Sequence, residues 1–384
     1  MESQEEHPDY LRIVTINSHQ PYLHLLAGLP HRFTVIDRGL PGRFCRWDSR
    51  VRPLPPRYRL TSYQAALTGA AGEPFDVALA HNLSDLLVLQ DFSHHRILLL
   101  HTGLERQLAH EDGQLSPKAF VDRVGAFLRI VSATVVYVSE VQARSWGGIP
   151  GLVIRHGICP GDYGGYTGRH PAVLRVTGLA KQLRILLRDS VQREVLHGIP
   201  SSLVDYDPGV PGARRIMSWQ QLQAVYRDHR CLLSLRDPER DDGYNLVLLE
   251  AMATGMPVVS TAHPASPVRD GHNGLVGETT SELRRHLVRL LHQRELAHQL
   301  GENARRTIMD SFPYDTFLAA WHRLLANSDC QEDSALAAAR RGAKTVSAAS
   351  VRAARVAEDI GGRPSRVRHP FPPRLTVIPG GRRP

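Results

Sequence analysis

Two acids, Asp241 and Asp242, stand directly before Gly243, and a third, Glu250, follows Asp242 by eight positions inside the apolar run "NLVLLEAMA". Carboxylates suit vicinal hydroxyls, because each accepts two hydrogen bonds side by side. Gly243 leaves the backbone open to close approach. Asn245 is an N-cap residue just ahead of the run, and Gly255 with Pro257 are stop signals behind it, so a helix is predicted between them. The free amides of Gly243, Tyr244, Asn245 and Leu246 would then sit at a helix tip, where partial positive charge favours a diphosphate or sugar hydroxyls. Asp242 and Glu250 are expected to reach two different rings of one ligand.

These side chains need a frame. "CLLSL" before the loop and "VVS" after the helix read as strands, which puts the acids at the carboxyl end of a parallel sheet, where such sheets bind ligands. The same alternation runs along the whole chain. Strands are predicted within 11–16, 31–37, 75–82, 95–103 and 133–140, then within 172–178, 201–207, 230–235 and 257–261. Helical spacing fills the gaps, including an apolar patch at 23–29. Short apolar strands alternating with helices imply parallel sheets wrapped by helices. The Gly- and Pro-rich stretch 151–171 reads as a linker between two such units. Ser218 and Gln221 are placed as N-cap and capping-box partner of a further helix, and three helices are predicted within 281–293, 294–312 and 314–326.

Bulk composition narrows the class. With 384 residues, 42% of them hydrophobic, the chain is long enough for two domains with proper cores. Its net charge of +9 lies wholly beyond Ala335, where eleven basic residues face Glu358 and Asp359; the first 334 residues hold 36 of each sign. That tail, 331–384, is expected to be disordered, its first part at most a frayed helix; it reads as a solvated extension, with peripheral contact to an anionic membrane as the alternative and no specific nucleic-acid binding. Cys45, Cys159, Cys231 and Cys330 are too scattered for a metal site and suggest a reducing compartment. The N-terminus is polar and no run approaches the ~20 apolar residues of a membrane span. A cytoplasmic location is expected. The glycine motifs of dehydrogenases and kinases, G-x-S-x-G and H-E-x-x-H are all missing, which removes those classes.

The segment "DDGYNLVLLEAMATGMPVVSTAHPASPVRDGHNGLV" (241–276) resembles the sugar-donor signature of retaining GT-B glycosyltransferases, the group 1 family. The resemblance implies two Rossmann-like domains facing across a cleft: 1–160 on the acceptor side, 161–311 binding a nucleotide-sugar, and 312–330 a helix packing back on the first. It implies that Glu250 holds the nucleotide ribose and that Gly243, Tyr244, Asn245 and Leu246 cradle sugar and phosphate. Asp242, where the family usually has Glu, would contact the sugar ring. Lys181, with Arg175 or Arg184, would neutralise the departing diphosphate, and His101 would face the sugar across the cleft. His81 ends a similar strand, and His19 and Gln20 lie in the first loop, within reach of acceptor or sugar donor. His263 and Ser266 either approach the phosphates or form a plain turn. No D-x-D occurs within "RDPERDD", so no metal is expected, and the nucleotide-sugar is a co-substrate with no further cofactor. The implied activity is retaining, metal-independent transfer to a hydroxyl acceptor. Alternatives are a sugar-nucleotide 2-epimerase and an inactive nucleotide-sugar-binding or scaffold relative.

Overall fold

A strand's side chains point alternately to its two faces, so a strand covered on both sides must be apolar throughout. The computed structural model shows this pattern in two sheets. It describes residues 10–40, 45–69, 74–108, 116–176, 189–206, 210–235 and 244–339, with side chains described except at 160, 189–190 and 327–339.

In the first lobe the strands are β1 (Arg12–Ile16), β2 (Arg32–Arg38), β3 (Tyr58–Ser62), β4 (Val77–Ala80), β5 (His95–Leu100), β6 (Ala133–Tyr137) and β7 (Leu152–Val153). They pair in the order β3-β2-β1-β4-β5-β6-β7, every neighbour parallel. Between them run α1 (Gln20–Leu25), α2 (Tyr63–Leu67), α3 (Leu83–Leu89), α4 (Leu104–Leu108), α5 (Pro117–Ile130) and α6 (Glu140–Ser145). Val14, Leu98, Leu100 and Val135 face one core with Phe120 and Phe127 of α5. Ile13, Ile97, Leu99 and Val136 face the opposite one.

In the second lobe β8 (His170–Val176), β9 (Ser201–Asp205), β10 (Arg214–Arg215), β11 (His229–Ser234), β12 (Val258–Ser260) and β13 (Gly274–Val276) pair as β10-β9-β8-β11-β12-β13, again all parallel. Its helices are α7 (Asp189–Leu196), α8 (Trp219–Asp228), α9 (Leu246–Thr254), α10 (Thr280–His292) and α11 (Arg294–Ser311). Leu174, Leu232 and Val258 look into one core, Val173, Cys231 and Val259 into the other.

The last helix, α12 (Tyr314–Ala339), leaves the second lobe and returns to the first. Phe317, Trp321, Leu324 and Leu325 fill the core that Ile13 and Ile97 line. The Trp321 indole donates to the Tyr22 hydroxyl at 3.1 Å, and the Tyr314 hydroxyl donates to the Leu25 carbonyl at 2.7 Å. A Cβ on Gly28 or Gly157 would collide with Leu318 or Phe317, so glycine there lets the helix approach.

Differences from the sequence reading lie at the edges. β3, β7, β10 and β13 fall outside the predicted strands, being two to five residues long and partly polar or exposed. The apolar patch 23–29 is not one helix: α1 starts at Gln20 and stops at Leu25, and a 3-10 turn takes 26–28. Ser218 does cap α8, accepting from the Gln221 amide, but the Gln221 side chain accepts from the Met217 amide rather than from that of Ser218. α12 runs to Ala339, well beyond 326; the basic stretch 340–384 lies outside the described residues.

Candidate active site between the two lobes

Each sheet reverses its strand order once, between β1 and β4 in the first lobe and between β8 and β11 in the second. Crevices at the carboxyl ends of such strands are where open α/β sheets bind ligands. In the second lobe the segments after β8 and β11 are 177–188 and 236–243, which lie outside the described residues. Lys181, Arg184, Asp242 and Gly243 are among them.

From Tyr244 onward the chain enters α9. Asn245 caps that helix, its side-chain oxygen accepting from the Leu248 amide at 2.9 Å, and Gly255 ends it at φ 93°, a left-handed turn that glycine adopts without strain. Between those caps nearly every side chain is buried, Leu246 included, because α9 is the central helix of its core. Tyr244 bridges the lobes: its hydroxyl donates to the Val138 carbonyl at 2.5 Å, and its ring meets His156 edge-on at 5.6 Å.

Glu250 is the one carboxylate within that buried helix, only 3% exposed. A charge so placed must be paired. One oxygen accepts from the Arg52 guanidinium and the other from the Tyr226 hydroxyl at 3.0 Å. Arg52 belongs to the first lobe, on the loop between β2 and β3, and its guanidinium carbon lies over Trp219 of α8, 3.7 Å from the ring centroid. Val51, beside it, is 1% exposed within the second lobe's core. Burial and the nearby carboxylate keep the Tyr226 hydroxyl protonated far above its ordinary range. The β2–β3 loop thus acts as a strap into the second lobe. Gln20 fastens its base, donating to the carbonyls of Asp48 at 2.6 Å and Arg52 at 3.3 Å.

Opposite Tyr244 lies an imidazole cluster of the first lobe. His81 comes just after β4 and His101 just after β5, and His81 Nδ1 stands 2.9 Å from His101 Nε2. His19, in the loop after β1, stacks on His101 at 4.2 Å and accepts from the Tyr22 amide at 3.2 Å through Nδ1. The Tyr22 ring meets His101 and His156 edge-on at 5.0 and 5.3 Å. All four imidazoles are held neutral at ordinary pH, burial being the main cause. It lowers His19 to about 4, with Arg52 and Arg106 adding to the effect, and lowers His81 and His156 to about 3, with help from His19. His101 is pushed well below its usual value by burial and by the other three.

The remaining described candidates make local contacts. Arg175, near the end of β8, donates to the Gln192 side chain of α7 at 3.4 Å. His263 and Ser266 form turns, accepting from the amides of Ala265 at 3.1 Å and Val268 at 3.2 Å. In the "DGHNG" stretch Asn273 is fully buried and ties Arg269, Pro267 and Thr307 together, so that part of the signature shapes the backbone before β13. A D-x-D does occur at the end of β9, Asp205-Tyr206-Asp207; Asp205 is buried, and Asp207 lies outside the described residues. Among the described residues no group of three or more His, Cys, Asp or Glu is arranged to hold a metal, and no helix is long and apolar enough to cross a membrane.

Sequence reasoning missed Arg52, Tyr226, Trp219 and His156. No local pattern marks them, because each acts on a residue brought close only by the fold.

Comparison with known proteins agrees with this architecture. Residues 216–307, which include α8, α9 and most of α11, match the family described as Glycosyl transferases group 1. The sucrose-phosphate synthase of Thermosynechococcus elongatus shares the fold with a TM-score of 0.62 at 17% identity, over 84% of this chain and 100% of that one. Anabaena Alr3699/HepE, solved in complex with UDP and glucose, gives 0.60 at 13% identity, over 83% of this chain and 100% of the other. A glycosyltransferase from Rickettsia africae gives 0.56 at 11%, over 83% and 99%. No curated protein matches by sequence. These likenesses establish two parallel-sheet α/β domains of the GT-B type.

Proposed function

We propose that this chain, a GT-B glycosyltransferase of the group 1 family, moves a sugar from a nucleotide-sugar to a hydroxyl acceptor with retention and without a metal. The observation that carries this reading is the placement of α9. Its capped tip meets the first lobe through Tyr244, its carboxylate Glu250 lies within the same helix, and His156 of the imidazole cluster stands against Tyr244. That one protein of this fold, Anabaena Alr3699/HepE, is described both with UDP-glucose and with UDP and glucose supports the choice of ligand class.

In this scheme Glu250 accepts the ribose hydroxyls, taking them in exchange for the Arg52 guanidinium it holds in the resting chain. Amides from Gly243 to Leu246 receive sugar and phosphate oxygens, Asp242 holds the sugar ring, and Lys181 with Arg175 balances the diphosphate. The bond between the anomeric carbon and the phosphate oxygen breaks, and its electron pair leaves with the nucleoside diphosphate. The acceptor oxygen bonds to the same face of the anomeric carbon, and its proton passes to the departing phosphate. Fixed dipoles and cations at the helix tip lower the barrier because charge grows on that phosphate in the transition state.

A panel of nucleotide-sugars tests the reading in chelator-containing buffer. A true sugar donor stabilises only the folded chain, by about 2.7 kcal/mol at a hundredfold excess over Kd, and yields a glycoside of unchanged anomeric configuration. Strict dependence on a divalent metal, or an inverted product, overturns the scheme. The Arg52–Glu250 pair supports one second reading, a relative whose sugar-donor pocket is closed by its own chain; it predicts no stabilisation by any member of the panel.

A further inference from the structure

His81 and His101 end neighbouring strands, β4 and β5, and share one short contact between His81 Nδ1 and His101 Nε2 at 2.9 Å. A neutral imidazole carries a single N–H, so one ring must donate and the other accept. Both rings are neutral, as their burial and mutual repulsion require. Two proton arrangements then remain, and they differ in what they leave at the far nitrogens.

His81 is 3% exposed, and its Nε2 meets no partner among the described residues. With His101 donating, His81 would carry its own proton on Nε2, a buried N–H with nothing to receive it. With His81 donating from Nδ1, the same position holds only a bare lone pair. Among backbone groups orphaned buried N–H are rarer than under-satisfied acceptors, and the same preference favours the bare lone pair here. The second arrangement therefore holds, and it decides the state of His101. Its Nε2 accepts from His81, so its proton sits on Nδ1, and the residue is only half-buried. The neighbours do not alter this. His19 stacks face to face on His101 and has its own Nδ1 occupied by the Tyr22 amide, while Tyr22 meets the His101 ring edge-on.

We propose that His81 is a positioning residue that holds His101 in its Nδ1–H form, so that His101 offers the cleft a hydrogen-bond donor and cannot act as a general base. The group it would serve is an oxygen that gains electron density, a sugar hydroxyl or a phosphate oxygen. The role in turnover rests on the glycosyltransferase reading; the proton arrangement does not.

Imidazole nitrogens with and without a proton differ widely in nitrogen chemical shift, so long-range proton–nitrogen correlation on histidine-labelled full-length protein reads the arrangement directly. The His101 signals are assigned by their loss in His101→Gln. The expected result is a protonated Nδ1 and a bare Nε2 at pH 7; a protonated Nε2 on His101 overturns the proposal. His81→Asn places an amide N–H where Nδ1 stood and is expected to keep that form, whereas His81→Leu frees His101 to populate both. With UDP-glucose as probe, hydrolysis or transfer by His81→Leu should lose tenfold or more in kcat with little change in KM, and His81→Asn should recover most of it. Equal rates for the Asn and Leu variants would remove His81 from the chemistry. If the native protein turns over no nucleotide-sugar while the NMR result holds, the failure belongs to the proposed function alone.

Discussion

The guanidinium of Arg52 and the carboxylate of Glu250 are 198 positions apart in the chain and form an ion pair whose side chains are 6% and 4% exposed. The pair joins the two lobes at the base of the candidate ribose site. Removing both charges from water is costly, and their attraction, the Tyr226 hydrogen bond and the contact with Trp219 offset that cost.

Breaking the pair from one side should leave a buried charge uncompensated. Arg52→Met is expected to lower stability by about 3–5 kcal/mol, because it keeps the bulk over Trp219 and removes the partner of Glu250. The double variant Arg52→Met/Glu250→Leu should recover most of that loss. Urea midpoints of the four proteins in this cycle measure the coupling; additive losses would mean the pair has little energetic weight.

With Glu250 as ribose ligand, a nucleotide and Arg52 compete for one carboxylate. Arg52→Ala is then expected to tighten UDP binding about tenfold, since the competent state no longer has to be populated against the latch. Glu250→Ala should weaken it. Calorimetric titration with UDP decides the matter, and weaker binding by Arg52→Ala would make Arg52 a ligand of the nucleotide instead of its competitor.

Acid should destabilise the fold at a higher pH than its carboxylates would dictate. His19, His24 and His31 are lowered to about 4, and His81 and His156 to about 3, from an ordinary value of 6.5. Below 6.5 the unfolded chain takes up these protons and the folded chain does not, so stability falls as pH drops from 6.5 toward 4 and is unaffected above that window. Melting temperatures at pH 7.5, 6 and 5 test this, and His81→Asn should flatten the decline.

Two glycines separate crowding from backbone strain. A Cβ on Gly301 of α11 would stand 1.9 Å from the Gly255 carbonyl oxygen, where α9 and α11 cross. Gly301→Ala is expected to cost about 3 kcal/mol or more, because the helices must part. Gly198 has φ +72° and nothing within 4 Å of an added Cβ, so Gly198→Ala should cost only about 1–2 kcal/mol. Comparable melting temperatures for the two variants would refute the crowding account.

Much of the scaffold was legible because its signals are local. The strands around Ile13, Leu98 and Leu232 are apolar on both faces, as only sheets covered on both sides permit. Asn245 and Gly255 announce α9 through capping chemistry that acts within one turn. Edge elements such as β10, two arginines long, carry no such signal, because their pairing depends on the neighbour they meet.

For the site, sequence alone determined which residues have the right chemistry and which element carries them: an acid inside a capped helix at the end of a strand, and histidines at the ends of others. Only the tertiary structure decided their state. Folding brought Arg52 across the lobe boundary to Glu250, and set His81 against His101 so that one ring's proton dictates the other's. Charge balance and proton placement depend on distances of a few ångströms between segments far apart in the chain, and no spacing along the chain encodes them.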